Sequence, residues 1–194
     1  MNSLALGVVA DDFTGATDIA NTLALGGMRT VLTIGPPRAE LAYDDPRALV
    51  VALKTRSVPP PEAVARSIAA LEALLARGAR RFVFKYCSTF DSTAEGNIGP
   101  VADALRERLG AAVTLHCPAF PANGRRVFGG YLFVGDVLLS ESGMRDHPLN
   151  PMHDANLVRV LQRQTPHRVE RLDLEIARAG RAAIAAAIRG AAGS

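Results

Sequence analysis

Two adjacent carboxylates, Asp11 and Asp12, stand at the end of the apolar run 4–10, followed by Thr14, Gly15 and a third acid, Asp18. Carboxylates so placed can take a proton from a hydroxyl that is to become a nucleophile, or ligate a cation. Their repulsion and partial desolvation cost energy, so they need a stabilising reason. Helix capping alone asks for less: one Asp with Thr14 would serve the start of the helix that follows, where acids also favour the dipole. Two consecutive acids exceed that need and mark at least one of Asp11 and Asp12 as a site residue. Asp18 reads equally well as an exposed first-turn acid.

Three further polar clusters follow apolar runs. Only two lysines occur, Lys54 and Lys85; one ends the run 48–53 and the other the run 81–84. Lys54 leads into Thr55, Arg56 and Ser57. Lys85 leads into Ser88 and Thr89, then Asp91, Ser92, Thr93 and Asn97. Cys117 is followed by Pro118, Asn123 and Arg125. These side chains suit a small polyhydroxylated anion. Arg56 offers a planar fork for a carboxylate, Lys85 a point charge, and Ser88, Thr89 and Asn97 hydroxyl and amide partners. Each has a plainer alternative: an ion pair for Arg56, turn chemistry for Ser88 and Thr89, and helix capping for Asn97, which is favoured there without a ligand. His147 and His153 read as loop residues, with Asp154 capping the next helix, because no Cys or acid constellation supports a metal. The chain has no phosphate-binding Gly-rich loop ending in Lys-Ser/Thr, no Gly-x-Gly-x-x-Gly after a strand and no nucleophile elbow.

The elements that must position these clusters alternate. Strands are predicted at 4–10, 29–34, 48–53, 82–87 and 112–117, and helices at 15–25, from Pro59 to about 77, and at 98–109. Continuous apolar strands between amphipathic helices predict an α/β fold. It is Rossmann-like and three-layered, with a mostly parallel sheet, helices on both faces and the site at the carboxyl ends of the strands. The Gly- and Pro-rich stretch 118–151 reads as an ordered insertion with a hairpin or short strand pair near 127–134. A helix at 155–164, a short strand at 169–172 and an Ala-rich helix at 175–189 complete the pattern.

At 194 residues and 48% hydrophobic, the chain can bury a real core. A net charge of +3 with scattered basic residues argues against nucleic acid, and no apolar stretch reaches membrane-spanning length. The opening residues lack the basic segment of a secretory signal, so a cytoplasmic location is expected. Cys87 and Cys117 are expected to be buried free thiols, or a disulfide if their strands are neighbours.

Taken together, Ala10 to Ala16, Lys54 to Ser57, Lys85 to Thr89 with Gly96 and Asn97, and Cys117 to Pro121 with Gly124 and Arg125 resemble the four-carbon acid sugar kinase family. Gly130 to Gly135 and Ser140 to Leu149, with Pro151, Met152, Asn156 and Leu157, resemble its 3-oxo-tetronate kinase branch. The resemblance implies a parent enzyme that uses ATP and Mg²⁺ to phosphorylate a tetronate-type acid at its terminal hydroxyl. It also implies two α/β domains, the first binding the sugar acid and the second ATP. Residues 1–194 would then be the sugar-acid-binding domain, incomplete at its C-terminal end, with the ATP-binding domain absent and little kinase activity of its own. Carried onto this chain, the resemblance places Asp12 near the accepting hydroxyl, with Asp11 as the alternative base. Arg56 and Lys85 to Thr89 would surround the acid, and Lys54, as a lysine ending an apolar strand, is a further binding candidate; no residue is assigned to a cofactor or a metal. The partner is a small sugar acid, and a homodimer is compatible with the family. Two alternatives stay open: a stand-alone binding module for hydroxy acids, and an ATP-independent isomerase or aldolase using Asp11, Asp12 and Lys85.

Overall fold

Consecutive apolar residues such as Val8 and Val9, or Val50 and Val51, point to opposite faces of a strand and require an apolar surface on each. The computed structural model, which describes residues 4–38 and 45–192, provides both. Strands β1 (Leu6–Ala10), β2 (Thr30–Ile34), β3 (Ala48–Ala52) and β4 (Phe82–Lys85) form a parallel sheet in the order β2-β3-β1-β4. Val8 pairs with Val50 and Val9 with Val51, so like faces align. Helix α1 (Phe13–Leu25) brings Ala16, Ile19 and Leu23 against Val8, Ala10, Val50 and Ala52. Helix α2 (Pro60–Ala76) brings Ala70 and Leu74 against Val9, Leu49, Val51 and Leu53 on the other face. The predicted mostly parallel sheet with helices on both faces is thus observed. Every residue of β3 is buried, as a strand covered twice must be.

The chain divides into two compact units, Met1–Cys87 and Ser88–Ser194. The first holds the parallel sheet. The second contains α3 (Ile98–Arg108) and a three-stranded antiparallel sheet of β5 (Arg125–Phe128), β6 (Tyr131–Val134) and β7 (Val137–Leu138). After these come α4 (Leu157–Gln162), α5 (Leu174–Arg178) and α6 (Arg181–Ala192). The hairpin expected near 127–134 is β5 and β6. Phe128 pairs with Tyr131, leaving Gly129 and Gly130 as the turn, at φ 59 and 85°. Positive φ at both positions matches the twist of antiparallel strands, and glycine adopts it without strain.

Three predicted elements differ. Residues 112–117 form no strand: apolar and polar residues alternate from Val113 to His116, Leu115 is 67% exposed, and the parallel sheet ends at β4. Cys117 is therefore exposed rather than buried; Cys87 is half-buried, and neither is in a disulfide. Residues 169–172 also form no strand. Their exposed charges are occupied locally, Arg171 donating to Asp173 and to the Gly129 carbonyl. The predicted helix 175–189 is two helices, α5 and α6, broken at Gly180, whose φ of 88° stops a right-handed helix. Among the described residues no helix is long and apolar enough to cross a membrane.

Candidate functional site

The backbone ladder runs on past the end of β1. Asp11 N–H donates to the Lys85 carbonyl at 3.0 Å, and the Asp11 carbonyl accepts from Thr55 N–H at 2.8 Å and Arg56 N–H at 3.2 Å. Asp11 is therefore clamped between the ends of β3 and β4. From the end of β1 the chain leaves through α1 on one face, while α2 carries it from β3 to β4 across the other. Reversals of this kind open the crevice at the carboxyl ends of an α/β sheet.

The side chains follow from that clamp. Arg56 donates through Nε to Asp11 Oδ2 at 3.0 Å and through Nη2 to Asp11 Oδ1 at 2.8 Å. The same Nη2 lies 2.8 Å from Asp12 Oδ1. One guanidinium thus holds two neighbouring carboxylates whose repulsion would otherwise be costly. Asp11 is only 5% exposed, and its burial pushes the carboxyl above the ordinary carboxylate range, against the hydrogen bond and charge of Arg56. For Arg56, burial opposes its charge, but the hydrogen bond and charge of Asp11 more than offset this and leave its pKa raised.

Asp12 has a second task. Its extended backbone (φ −146°, ψ 167°) makes it the N-cap of α1, and its Oδ1 accepts from Gly15 N–H at 2.7 Å. Both of its partners use Oδ1; among the described residues nothing hydrogen-bonds Oδ2, on a side chain 24% exposed. Gly15 is required by this packing. A Cβ there would lie 2.7 Å from Asp12 Oδ1 and 3.3 Å from Lys85 Nζ. Lys85 Nζ donates to the Tyr86 carbonyl at 2.9 Å. The structure thus brings Asp11, Asp12, Arg56 and Lys85 together and adds Gly15, whose signal in the sequence is a glycine three residues after an acidic cap. Lys54 does not join them. It is exposed and borders an open cavity of about 220 Å³ with Phe13, Ile34 and Arg66.

Ser88, Thr89 and Asn97 belong to the second unit. Ser88 is half-buried; Thr89 and Asn97 are buried. Phe90 and Asp91 follow at φ 63 and 48°, two successive non-glycine residues in the left-handed region. Such backbone costs of order 1–3 kcal/mol per residue and persists only where the surroundings impose it. Here Phe90 is 1% exposed. Asn97 precedes α3, but its backbone is helical and its side chain makes no capping hydrogen bond. A distant residue does that work: Gln164 Oε1 accepts from Gly99 N–H at 2.8 Å, while its amide donates to Ser92 Oγ at 2.9 Å and to the Thr93 carbonyl. A Cβ on Gly99 would lie 2.5 Å from Gln164 Cβ, and one on Gly96 would lie 2.0 Å from Ser92 Oγ. No periodicity marks Gln164, and the two glycines flanking Asn97 are its only trace in the sequence. Asn156, not Asp154, caps α4 through Arg159 N–H at 3.1 Å; Asp154 instead receives Asn156 N–H and pairs with Arg159. Among the described residues no three His, Cys, Asp or Glu side chains gather as a metal-ligand set.

A four-stranded α/β unit with a carboxylate pair at its central strand, joined to a second unit of this composition, has relatives. The chain belongs to the family described as Sugar-binding N-terminal domain, whose model matches residues 6–194. A Burkholderia multivorans protein named 3-oxo-tetronate kinase is 66% identical over 164 residues, covering 84% of this chain and 38% of that protein. The crystal structure of a Salmonella typhimurium LT2 protein, provisionally described as a tRNA synthase, superposes with a TM-score of 0.92 at 50% identity, covering 95% of this chain and 44% of that one. A Bordetella bronchiseptica protein, solved with bound citrate as a domain-swapped dimer, superposes with a TM-score of 0.72 at 31% identity, covering 81% and 39%. The chain spans less than half the length of each of these relatives.

Proposed function

We propose that this chain is the acid-binding domain of an ATP-dependent kinase that phosphorylates a four-carbon sugar acid, 3-oxo-tetronate, giving 3-oxo-tetronate 4-phosphate. The observation that carries the reading is the pair Asp11 and Asp12 gathered on Arg56, with Oδ2 of Asp12 left over. The name of the Burkholderia relative supplies the reaction, and citrate in the Bordetella relative is itself a small hydroxy acid. Asp12 Oδ2 takes the proton of the terminal hydroxyl as it attacks. Asp11 and Arg56 fix Asp12, and Arg56 and Lys85 supply positive charge for the carboxylate of the acid. Lys54, Ser88, Thr89 and Asn97 are the remaining acid-binding side chains in this reading. A homodimer belongs to it as well, since the Bordetella relative assembles as one.

ATP supplies the phosphoryl group and Mg²⁺ offsets the charge of its phosphates. The acid pair does not fit a Mg²⁺ site. Both oxygens of Asp11 are engaged by Arg56, and Oδ1 of Asp12 by Gly15 and Arg56, so a single carboxylate oxygen is left to offer. In this reading nucleotide and metal are held by the part of the relatives' length that this chain does not span.

Calorimetric titration of the chain with 3-oxo-tetronate, threonate, erythronate and Mg-ATP tests the reading. Saturable binding of a four-carbon acid without binding of Mg-ATP is expected, and Asp12→Asn should retain it. Binding of no acid overturns the reading. Turnover of an acid without ATP would replace it with the isomerase or aldolase alternative.

A further inference from the structure

One histidine of the second unit is held at one ring nitrogen, while its other nitrogen has no partner among the described residues. His147 lies in the loop before α4, its side chain 30% exposed. Its Nδ1 accepts from Asn150 N–H at 3.2 Å. A proton on Nδ1 would confront that N–H, so the neutral ring carries its proton on Nε2. Protonation of the ring leaves Nε2–H in place, so Nε2 is a donor in either charge state. Among the described residues nothing accepts from it.

The side of the ring opposite Nε2 is held by a buried arrangement. Asn150 Nδ2 donates to Asp91 Oδ1 at 3.1 Å, and that oxygen lies 3.5 Å from His147 Nδ1. Asp91 is buried and sits in the strained left-handed pair Phe90 and Asp91. Asn150 holds Nδ1 through its backbone N–H and Asp91 through its side chain, which fixes the direction of the ring, and backbone strain of this kind concentrates at ligand-binding sites. A donor oriented in advance loses little freedom on meeting its acceptor.

We propose that His147 is a ligand-binding residue whose Nε2–H donates to an anionic oxygen, of a carboxylate or a phosphate, with Asn150 and Asp91 as the positioning residues behind it. The proposal deepens the reading of the chain as an acid-binding domain and rests on it.

The test is a ¹⁵N spectrum of the four histidine rings of the whole chain, with His147→Gln to assign the signal, titrated with 3-oxo-tetronate, with threonate and with inorganic phosphate. The His147 ring is expected to show the Nε2-protonated pattern and a saturable shift of Nε2 with at least one ligand. A shift with the acids alone assigns a carboxylate, and a shift with phosphate alone assigns a phosphate. His147→Ala is expected to weaken that ligand about tenfold, as loss of a hydrogen bond to a charged group does. His147→Gln, whose amide N–H can stand in for Nε2–H, should stay within about threefold of the parent. An Nδ1-protonated ring, or an Nε2 that no ligand moves, overturns the proposal. If other resonances still shift saturably with an acid, the acid-binding reading survives without His147; if none does, both fall.

Discussion

The two units hold their polar residues in place by different means. In the first, the sheet does it: hydrogen bonds continuing past β1, β3 and β4 fix the backbone at Asp11, Thr55 and Arg56, and the side chains meet because their strands are neighbours. In the second, a side chain does it. Gln164 reaches from beyond α4 to the start of α3, and Gly96 and Gly99 give it and Ser92 room. The ladder fixes the backbone whichever side chains it carries, whereas the hub depends on one side chain and on the clearance around it. The first arrangement is also electrostatic, so pH should disturb it; the hub is neutral, so pH should leave it alone.

The sharpest way to break the comparison is Arg56→Met. It leaves the Asp11 carboxylate buried without its counter-charge, and a loss of about 3–5 kcal/mol is expected in urea unfolding at neutral pH. The loss should shrink on acidification, because a protonated Asp11 no longer needs the guanidinium. The sign for Asp11 itself follows from its raised folded pKa. Its contribution is fully present below the unfolded value of about 3.9 and is lost as pH rises through the folded value. The parent should therefore gain stability relative to Asp11→Asn as pH falls, and a gain in the opposite direction would remove Asp11 as a burial-strained acid.

Next in size is the hub. Gln164→Leu strands the Gly99 N–H and is expected to cost about 2–3 kcal/mol, as is Gly99→Ala, whose new methyl meets Gln164. Neither loss should vary with pH between about 5 and 8, where no carboxylate or amide of the hub changes charge. A pH-dependent loss would erase the contrast between the units. Smaller still is the cap: Asp12→Ala should lower the melting temperature by an amount equal to about 1 kcal/mol, while Asp12→Asn, which can still accept from Gly15, should cost a few tenths. The smallest effect is at Lys54. Lys54→Met should change stability by less than about 0.5 kcal/mol, as exposed positions do. In titration calorimetry it should weaken acid binding less than Lys85→Met, since Lys85 lies against Gly15 beside the carboxylates and Lys54 does not.

The first unit was legible in the sequence because buried parallel strands are continuous apolar runs, and their polar ends stand out against them. Asp11, Asp12, Arg56 and Lys85 could be singled out this way, although nothing in the spacing showed that Arg56 would turn its fork to Asp11 rather than outward. A fork turned outward would make Arg56 matter to acid binding alone; its contacts with Asp11 and Asp12 add a stability cost to its removal. The second unit was less legible. The run 112–117 has the composition of a strand but alternates, and no neighbour buries it. Asn97 has the residue type of a cap, but Gln164, far along the chain, takes the amide. The break at Gly180 was hidden in an Ala-rich stretch whose helical propensity is high on either side.

Because one oxygen of Asp12 accepts both from the first turn of α1 and from Arg56, the Gly15 amide is a built-in gauge of the carboxylate. An acid or a proton that draws Asp12 away would uncap that amide and speed its exchange with deuterium, while a ligand that locks the carboxylate would slow it. The helix start thus reports, at a single backbone position, whether the crevice is filled.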